Sequence, residues 1–276
     1  MQSVKDIKSR IKSVSETAQI TRAMELISAS KMQKASVRYN SSLAYFEKVR
    51  PVINEIANNY EFVTPHPYLD PNREGRRAYI VIGSDKGLSG EYNHAITTFA
   101  SSVIKEDSDI LCIGYNVYQY FSHLGDNVKL LYCSPEGKLE DARRIVTQLI
   151  EDYKSFKYNE INVIYTSLRS KSKQVCTKIQ LLPLVIEEGK KTMQLEFEPD
   201  PVTVFSRLVP QYAIGILYGC ITAGKYTEHL ERMRAMNSAT QNANDLLDEL
   251  QLNYNKARQE KITTELTELS VSLLDE

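Results

Sequence analysis

The chain has 276 residues, of which 42% are hydrophobic and 25% charged, and its formal net charge is −1. These values are ordinary for a globular protein of one or two domains. The small net charge argues against the strong basic field of a nucleic-acid-binding protein, and no stretch approaches the ~20 apolar residues expected of a membrane span. The first residues alternate charged and apolar side chains, which predicts neither a secretion signal nor a transit peptide.

Residues 1–60 contain no glycine and predict one long helix. Apolar residues three and four apart form the expected buried stripe: Val4, Ile7, Ile11, Val14, Ala18 and Thr21. A second stripe of Ile20, Met24 and Ile27 is expected to take over beside it, because a 3.6-residue turn drifts against a 3.5-residue repeat. Pro51 is expected to kink or restart the helix. The three prolines between Val63 and Gly75 predict a loop and a boundary.

Residues 76–200 alternate short apolar runs with amphipathic segments, which predicts an α/β domain with a Rossmann-like, mostly parallel sheet. The predicted strands are 78–84, 109–115, 128–134 and 161–167, with a further edge strand within 175–186. The predicted helices are 92–105, 117–124 and 139–155.

Residues 205–276 return to a helical pattern, although three glycines weaken its first part. The expected core stripe is Met236, Ala239, Ala243, Leu246, Leu250, Tyr254 and Ala257, continued by Ile262, Leu266, Leu269 and Leu273. A helix of this length suggests a coiled coil, so we expect the N-terminal and C-terminal helices to pair antiparallel. Residues 1–40 carry eight basic against three acidic residues, and residues 225–276 carry six against ten. These opposite charges favour the pairing, although apolar burial must supply most of its stability.

The segment Gly83–Asn93, "GSDKGLSGEYN", follows a strand and precedes a helix, which is where phosphate-binding loops lie. It matches neither phosphate-binding glycine motif, so a contact loop is the favoured interpretation and nucleotide binding the alternative. The four histidines and four cysteines are dispersed, which predicts no metal site, no disulfide and no catalytic residue, and places the protein in a reducing compartment. On the C-terminal helix, Asn255, Arg258, Gln259 and Thr263 form either an exposed helix face or a recognition stripe.

Three segments resemble the γ subunit of F-type ATP synthases: Ile7–Ala35, Gly83–Asn93 and Glu231–Leu269. They occur in that family's order and spacing. The resemblance implies a central rotor stalk whose antiparallel coiled coil stands within a hexamer of α and β subunits. Its α/β domain would lie against the ε subunit and the membrane c ring. It also implies no catalytic residue, cofactor or nucleic-acid partner, and a peripheral, indirect membrane association at the cytoplasmic face of a bacterial cell.

The resemblance further implies partner contacts at individual positions. Met24 matches a methionine near an acidic loop of β, which the cations Arg22 and Lys31 would also meet. Arg258 and Gln259 match a pair that contacts a loop of an empty β subunit, and Thr263 matches a neighbouring polar contact. The remaining expected contacts are Arg232 and, facing β and ε, Lys86 and Glu91. Two alternatives to the rotor stay open on the sequence: a nucleotide-binding α/β protein with helical arms, and a structural coiled-coil scaffold.

Overall fold

A computed structural model describes residues 3–59, 66–70, 74–125, 127–170, 173–186 and 197–272. The helices are α1 (Val4–Asn59), α2 (Tyr92–Val103), α3 (Tyr115–Ser122), α4 (Leu139–Lys154) and α5 (Pro201–Ser272). The strands are β1 (Arg76–Ile82), β2 (Ser108–Ile113), β3 (Val128–Leu131), β4 (Tyr158–Ser170) and β5 (Lys173–Leu182). Every predicted strand and helix is present, with ends shifted by a few residues.

The chain divides into two compact units. The terminal unit combines Met1–Ala29 with Arg232–Glu276, and the larger unit is Ser30–Glu231. The terminal unit is a pair of helical segments, and the larger unit contains the sheet together with the inner parts of α1 and α5. The division into segments 1–60, 76–200 and 205–276 stays a prediction, and the larger unit includes the inner helical segments as well as the sheet.

The sheet of the larger unit has the strand order β3-β2-β1-β4-β5. The first four strands run parallel, and β5 pairs antiparallel with β4. β1 is central and almost fully buried, because its alternate side chains enter two different cores. Ala78, Ile80 and Ile82 face the core formed with α1, α4 and α5, whereas Tyr79 and Val81 face the core formed with α2 and α3. The predicted Rossmann-like, mostly parallel domain is thereby confirmed.

α1 continues through Pro51, so the helix does not restart there, and the expected kink stays a prediction. Proline removes one intrahelical hydrogen bond. The residues just after it, Ile53 and Ile56, are 2% and 0% exposed in the core against the sheet, and this packing holds the helical backbone. α5 likewise passes through Pro210, beside the fully buried Val209 and Ala213.

The predicted loop at 63–75 lies partly outside the described residues. Its described part is packed against the domain: a short 3₁₀ turn, Pro67–Leu69, buries Tyr68. The Tyr153 hydroxyl donates a hydrogen bond to the Pro67 carbonyl at 2.9 Å, and His66 Nε2 lies 2.8 Å from Ser206 Oγ. These contacts attach the segment to α4 and α5.

In the larger unit α1 and α5 run antiparallel. The rings of Tyr39 and Tyr226 stack with centroids 6.2 Å apart, and one turn further along α1 the Ser42 hydroxyl lies 3.5 Å from that of Thr222. Advancing along α1 therefore means moving backwards along α5, as the sequence predicts.

In the terminal unit the same two helices meet along a seam of small and apolar residues. Thr240 Oγ1 donates a hydrogen bond to Thr21 Oγ1 at 2.8 Å. The buried residues of the seam are Ile7, Ala18, Ser28, Met236, Ala243 and Leu250. Small side chains permit a close approach of the two backbones.

Two details of the predicted stripes are wrong. Ile20 and Ile27 are 61% and 56% exposed, so no second stripe takes over on α1. The seam instead keeps its phase and passes from Thr21 to Ser28, seven residues on, as in a 3.5-residue coiled-coil repeat.

On α5 the predicted stripe ends early, since Ile262 and Leu266 are 47% and 62% exposed. With Thr21 opposite Thr240, Val4 at the start of α1 comes opposite Ala257. Beyond that point no described residue of α1 is available to cover α5. The side chain of Leu269 and the whole of Leu273 lie outside the described residues.

One helix, Pro201–Thr267, contains an 18-residue window of mean hydropathy 1.3 that could cross a membrane by length and composition. Of this window 56% is buried within the protein. α5 contributes Phe205, Val209, Leu217 and Ile221 to the core beneath the sheet, and that packing accounts for its apolar composition.

Replacing Ala18 with Trp should destabilise the terminal helix pair by about 1–3 kcal/mol, because Ala18 is 8% exposed and its seam has no room for an indole. Amide hydrogen exchange of residues 3–29 in the full chain would measure the change. Ala23→Trp is the matched control, since Ala23 is exposed on the same helix. Equal protection in the two variants would contradict a close seam.

Candidate partner-contact site

The loop that follows β1 is shaped by glycines at the ends of two neighbouring strands. A Cβ on Gly83 would overlap the side chain of Val117 on α3. Gly114, at the end of β2, has φ +107°, and a Cβ there would lie 2.6 Å from the Gly83 carbonyl oxygen. Both positions therefore require glycine, one for space and one for backbone conformation as well. In the loop itself Gly90 has φ +57°, whereas Gly87 faces open space.

The polar groups at the start of this loop bond to one another. The Ser84 N–H donates to Asn93 Oδ1 at 3.1 Å, and the Asn116 side-chain amide donates to the Ser84 carbonyl at 3.0 Å. The Gly83 N–H donates to the Ile113 carbonyl at 2.7 Å. A phosphate-binding loop needs backbone N–H groups free to face an anion. The backbone N–H groups of Gly83 and Ser84, at the base of the loop, are therefore occupied within the protein and do not face an anion.

Lys225 on α5 is a charged residue that sequence reasoning missed. Only 8% of its side chain is exposed, and its ammonium lies 3.2 Å from Glu228 Oε2 and 3.7 Å from Asp85 Oδ2. Glu228 follows at a helical spacing, which was a visible signal, but Asp85 is distant in sequence. Only the fold brings this acidic residue of the loop onto α5.

Two predicted contacts, Lys86 and Glu91, lie on the tip of the same loop, and both are exposed. Between them Leu88 is 63% exposed and has φ +61°. The Lys86 carbonyl accepts a hydrogen bond from the Ser84 hydroxyl at 2.8 Å. The loop therefore exposes the side chains of Lys86, Leu88 and Glu91 to solvent, while hydrogen bonds hold its first residues in place.

On α1 the predicted contacts are Arg22, Met24 and Lys31. Arg22 and Lys31 are exposed, and Met24 is half-buried. Arg22 Nη1 lies 2.8 Å from Glu25 Oε2, so this cation already has a partner within the chain. Exposed pairs of this kind contribute only ~0–1 kcal/mol, and an acidic partner surface could readily replace Glu25.

The predicted C-terminal contacts, Arg258, Gln259 and Thr263, are all exposed. The Thr263 hydroxyl donates to the Gln259 carbonyl at 2.9 Å, which holds it against its own helix. Asn255 is exposed on the same stretch. These residues lie at and beyond the point where α1 ends beside α5, and α5 is exposed on several of its sides there.

Arg232 differs from the other expected contacts, because it is 8% exposed in the isolated chain. Its role as a contact stays a prediction, as do the roles of the other eight residues. Arg232 is the first residue of the α5 segment in the terminal unit, where the register set by Thr21 and Thr240 brings it opposite Ala29.

Among the residues that the structure describes, no group of three or more His, Cys, Asp or Glu side chains could hold a metal ion. Cys112 and Cys220 are buried, and Cys133 and Cys176 are half-buried. Burial raises the pKa of Cys112 to about 12, and the pKa values of Cys133 and Cys176 to about 11. These thiols are therefore protonated at neutral pH and behave as packing residues.

The comparisons with known proteins agree with this fold. The sequence profile of the ATP synthase family matches residues 3–272. A central-stalk chain of the Tetrahymena thermophila mitochondrial ATP synthase superposes with a TM-score of 0.62 at 19% identity, covering 80% of this chain and 99% of that one.

Two chains of the Euglena gracilis mitochondrial ATP synthase are also similar. One, from the rotor in rotational state 1, has a TM-score of 0.67 at 12% identity and covers 94% of this chain and 98% of that one. The other, from the assembly of OSCP, F1 and c ring in rotational state 3, has a TM-score of 0.68 at 14% identity. It covers 98% of this chain and 93% of that one. This protein belongs to the γ-subunit family of ATP synthases.

Gly83→Ala should lower the free energy of unfolding by about 1–3 kcal/mol, because the new methyl group collides with Val117 at the base of the loop. Gly87→Ala is the control, since nothing lies within 4 Å of a Cβ at that position. Urea unfolding of the full chain gives both values. The proposed loop geometry is incorrect if the two variants are equally stable.

Alkylation of the four cysteines should be strongly suppressed in the native chain at pH 8. A thiol of pKa about 11 is thiolate in roughly 1 molecule in 1,000, so Cys133 and Cys176 should react about 100-fold more slowly than in the unfolded chain. Because burial raises these pKa values, the native rate should climb as the pH rises towards 11. Iodoacetamide labelling followed by mass spectrometry measures both rates, and equal labelling with and without denaturant would contradict the burial.

Proposed function

We propose that this chain is the rotating central stalk of a bacterial F-type ATP synthase. It couples ion flow through the membrane c ring to ATP synthesis or hydrolysis on the β subunits. The stalk itself holds no catalytic residue and no cofactor, because the chemistry belongs to the β subunits. The observation that supports this most directly is a family profile matching residues 3–272 in a chain whose two end helices pair antiparallel.

The helix pair suits a shaft mechanically. Its seam is made of Ile7, Ala18, Ser28 and their counterparts on α5, so two helices pack closely along their length. A shaft transmits torque only if its helices do not slide past each other. The hydroxyl pair of Thr21 and Thr240 fixes the register in the terminal unit, and the tyrosine pair Tyr39 and Tyr226 fixes it in the larger unit.

The outer surface of the helix pair suits contacts that must be made and broken repeatedly. Arg22, Lys31 and Arg258 are exposed cations and Gln259 is an exposed amide, and their spacing along each helix places them on different sides of it. Such a surface presents a different face to each β subunit as it turns. Each face then favours one β conformation by differential contact, which is how a ligand or partner shifts a conformational equilibrium.

The proposed partners are those that the resemblance to the γ-subunit family implies. The helix pair lies within the hexamer of α and β subunits, with Met24, Arg22 and Lys31 near an acidic loop of β. The loop that carries Lys86 and Glu91 faces β and ε. The association with the membrane is peripheral, through the c ring at the cytoplasmic face.

Reconstitution with the α and β subunits of the same organism tests the proposal. Rapid ATP hydrolysis should require this chain, and a bead attached through Lys129→Cys, an exposed position on β3, should rotate stepwise while ATP is hydrolysed. Hydrolysis with a stationary bead, or hydrolysis of equal rate without the chain, would contradict the proposed role.

Arg258→Ala combined with Gln259→Ala should reduce ATP-driven ion pumping severalfold, because the predicted contact with an empty β subunit loses its charged and amide groups. The exposed side chains imply that the fold itself is unaffected, so thermal unfolding of the chain should not change. Lys256→Ala, exposed on another side of the same turn, is the matched control. Normal pumping in the double variant would remove both residues from the contact surface.

A further inference from the structure

Lys225 lies at the centre of a charge cluster that joins two parts of the larger unit which are far apart in the sequence. Its ammonium lies between Glu228, one turn along α5, and Asp85, in the loop after β1. Lys225 and Glu228 are 8% and 6% exposed at their side chains, whereas Asp85 is 47% exposed. A buried ammonium requires such partners, because transfer of an unpaired charge into the interior is strongly unfavourable.

Asp85 connects three elements through its two carboxylate oxygens. Oδ2 faces Lys225 on α5, and Oδ1 accepts a hydrogen bond from the Tyr115 N–H at 3.2 Å, at the first residue of α3. The loop is thus attached to α3 and to the long helix by a single side chain.

The surroundings of Lys225 restrict its position. Gly137, before α4, has φ +62°, and a Cβ there would lie 2.6 Å from Ile221 Cγ2 and 3.7 Å from Lys225 Cγ. The backbone of this segment therefore passes directly over α5 and covers the stem of the lysine. Burial raises the pKa of the nearby Cys133 thiol, and among the charges that act on this pKa Lys225 lowers it and Asp85 raises it. The Lys225 side chain therefore has little freedom to follow Asp85 if the loop moves.

We propose that Lys225 is a positioning residue that fastens the Ser84–Glu91 loop to α5, so that the loop tip and the long helix move as one body. The inference rests on the proposed function, in which this loop contacts β and ε while α5 transmits torque. Ser84, Asn93 and Asn116 hold the base of the loop, and their hydrogen bonds reach the Lys86 carbonyl and the buried Ser89 hydroxyl. Through Asp85, Lys225 adds a separate connection from this loop to α5.

A double-mutant cycle on the full chain tests the link. Lys225→Met and Asp85→Asn should each increase amide exchange in residues 85–91 about tenfold, and the double variant should exchange no faster than Lys225→Met alone. Asn at position 85 can still accept the hydrogen bond from Tyr115, so this variant removes only the charge facing Lys225. Lys34→Met, at an exposed position of α1, is the matched control and should leave the loop unchanged.

Unaltered loop exchange in Asp85→Asn, or effects of the two changes that multiply in the double variant, would overturn the proposal. Because Asp85 is half exposed, its variant should fold even if Lys225→Met does not.

A second measurement separates positioning from simple stabilisation. In the reconstituted complex, Asp85→Asn should lower the ratio of ion pumping to ATP hydrolysis about twofold or more at an unchanged hydrolysis rate. An unchanged ratio would overturn the mechanical role. A chain that does not assemble with α and β would instead contradict the proposed function, while the exchange measurement on the chain alone would still decide whether Lys225 holds the loop.

Discussion

The antiparallel pairing of α1 with α5 is the constraint on which the rest of the structure depends. The two helices are in contact within each of the two units, so the surface that each unit exposes depends on their register. Small side chains at Ala18, Ser28 and Ala243 permit close approach, and the hydroxyl contact between Thr21 and Thr240 selects one register. Close packing of this kind is specific, because a shift along the seam would place larger side chains opposite each other.

In the larger unit, glycines permit a similarly close approach of α5 to its neighbours. Gly224 on α5 lies so close to the sheet that a Cβ would sit 3.1 Å from Ile82 and 3.2 Å from the Tyr92 hydroxyl oxygen. A Cβ on Gly137 would likewise lie 2.6 Å from Ile221 Cγ2 on α5. Residues that weaken a helix in isolation therefore allow the sheet, the loops and α5 to pack directly against one another.

Local patterns in the sequence were sufficient to predict the strands, the helices and the pairing of the chain ends. They failed where distant packing competes with local preference. Pro51 predicts a kink or a restart of the helix, and burial of Ile53 and Ile56 prevents the restart. Ile20 and Ile27 look like core residues, yet the partner helix lies on the Thr21 side. Which of two neighbouring stripes becomes the seam depends on the partner helix as well as on the stripe.

Among the candidate contacts too, features set by the local sequence could be predicted, and features set by distant packing could not. The loop could be predicted because it follows a strand and contains a recognisable segment, and its charged tip is exposed as a contact loop should be. The link between Asp85 and Lys225 could not be predicted, since nothing local pairs residues so far apart. An ion pair of this kind is visible only when the fold brings its members together.

Cysteine crosslinking is the most direct test of the paired helices. Thr21→Cys with Thr240→Cys, whose native hydroxyl oxygens are 2.8 Å apart, should form an intrachain disulfide rapidly under mild oxidation. Since both helices belong to one rotor, the assembled complex should hydrolyse ATP at the same rate before and after crosslinking. Failure to form the disulfide would contradict the register, and a crosslink that stops hydrolysis would contradict a shaft in which the two helices turn together.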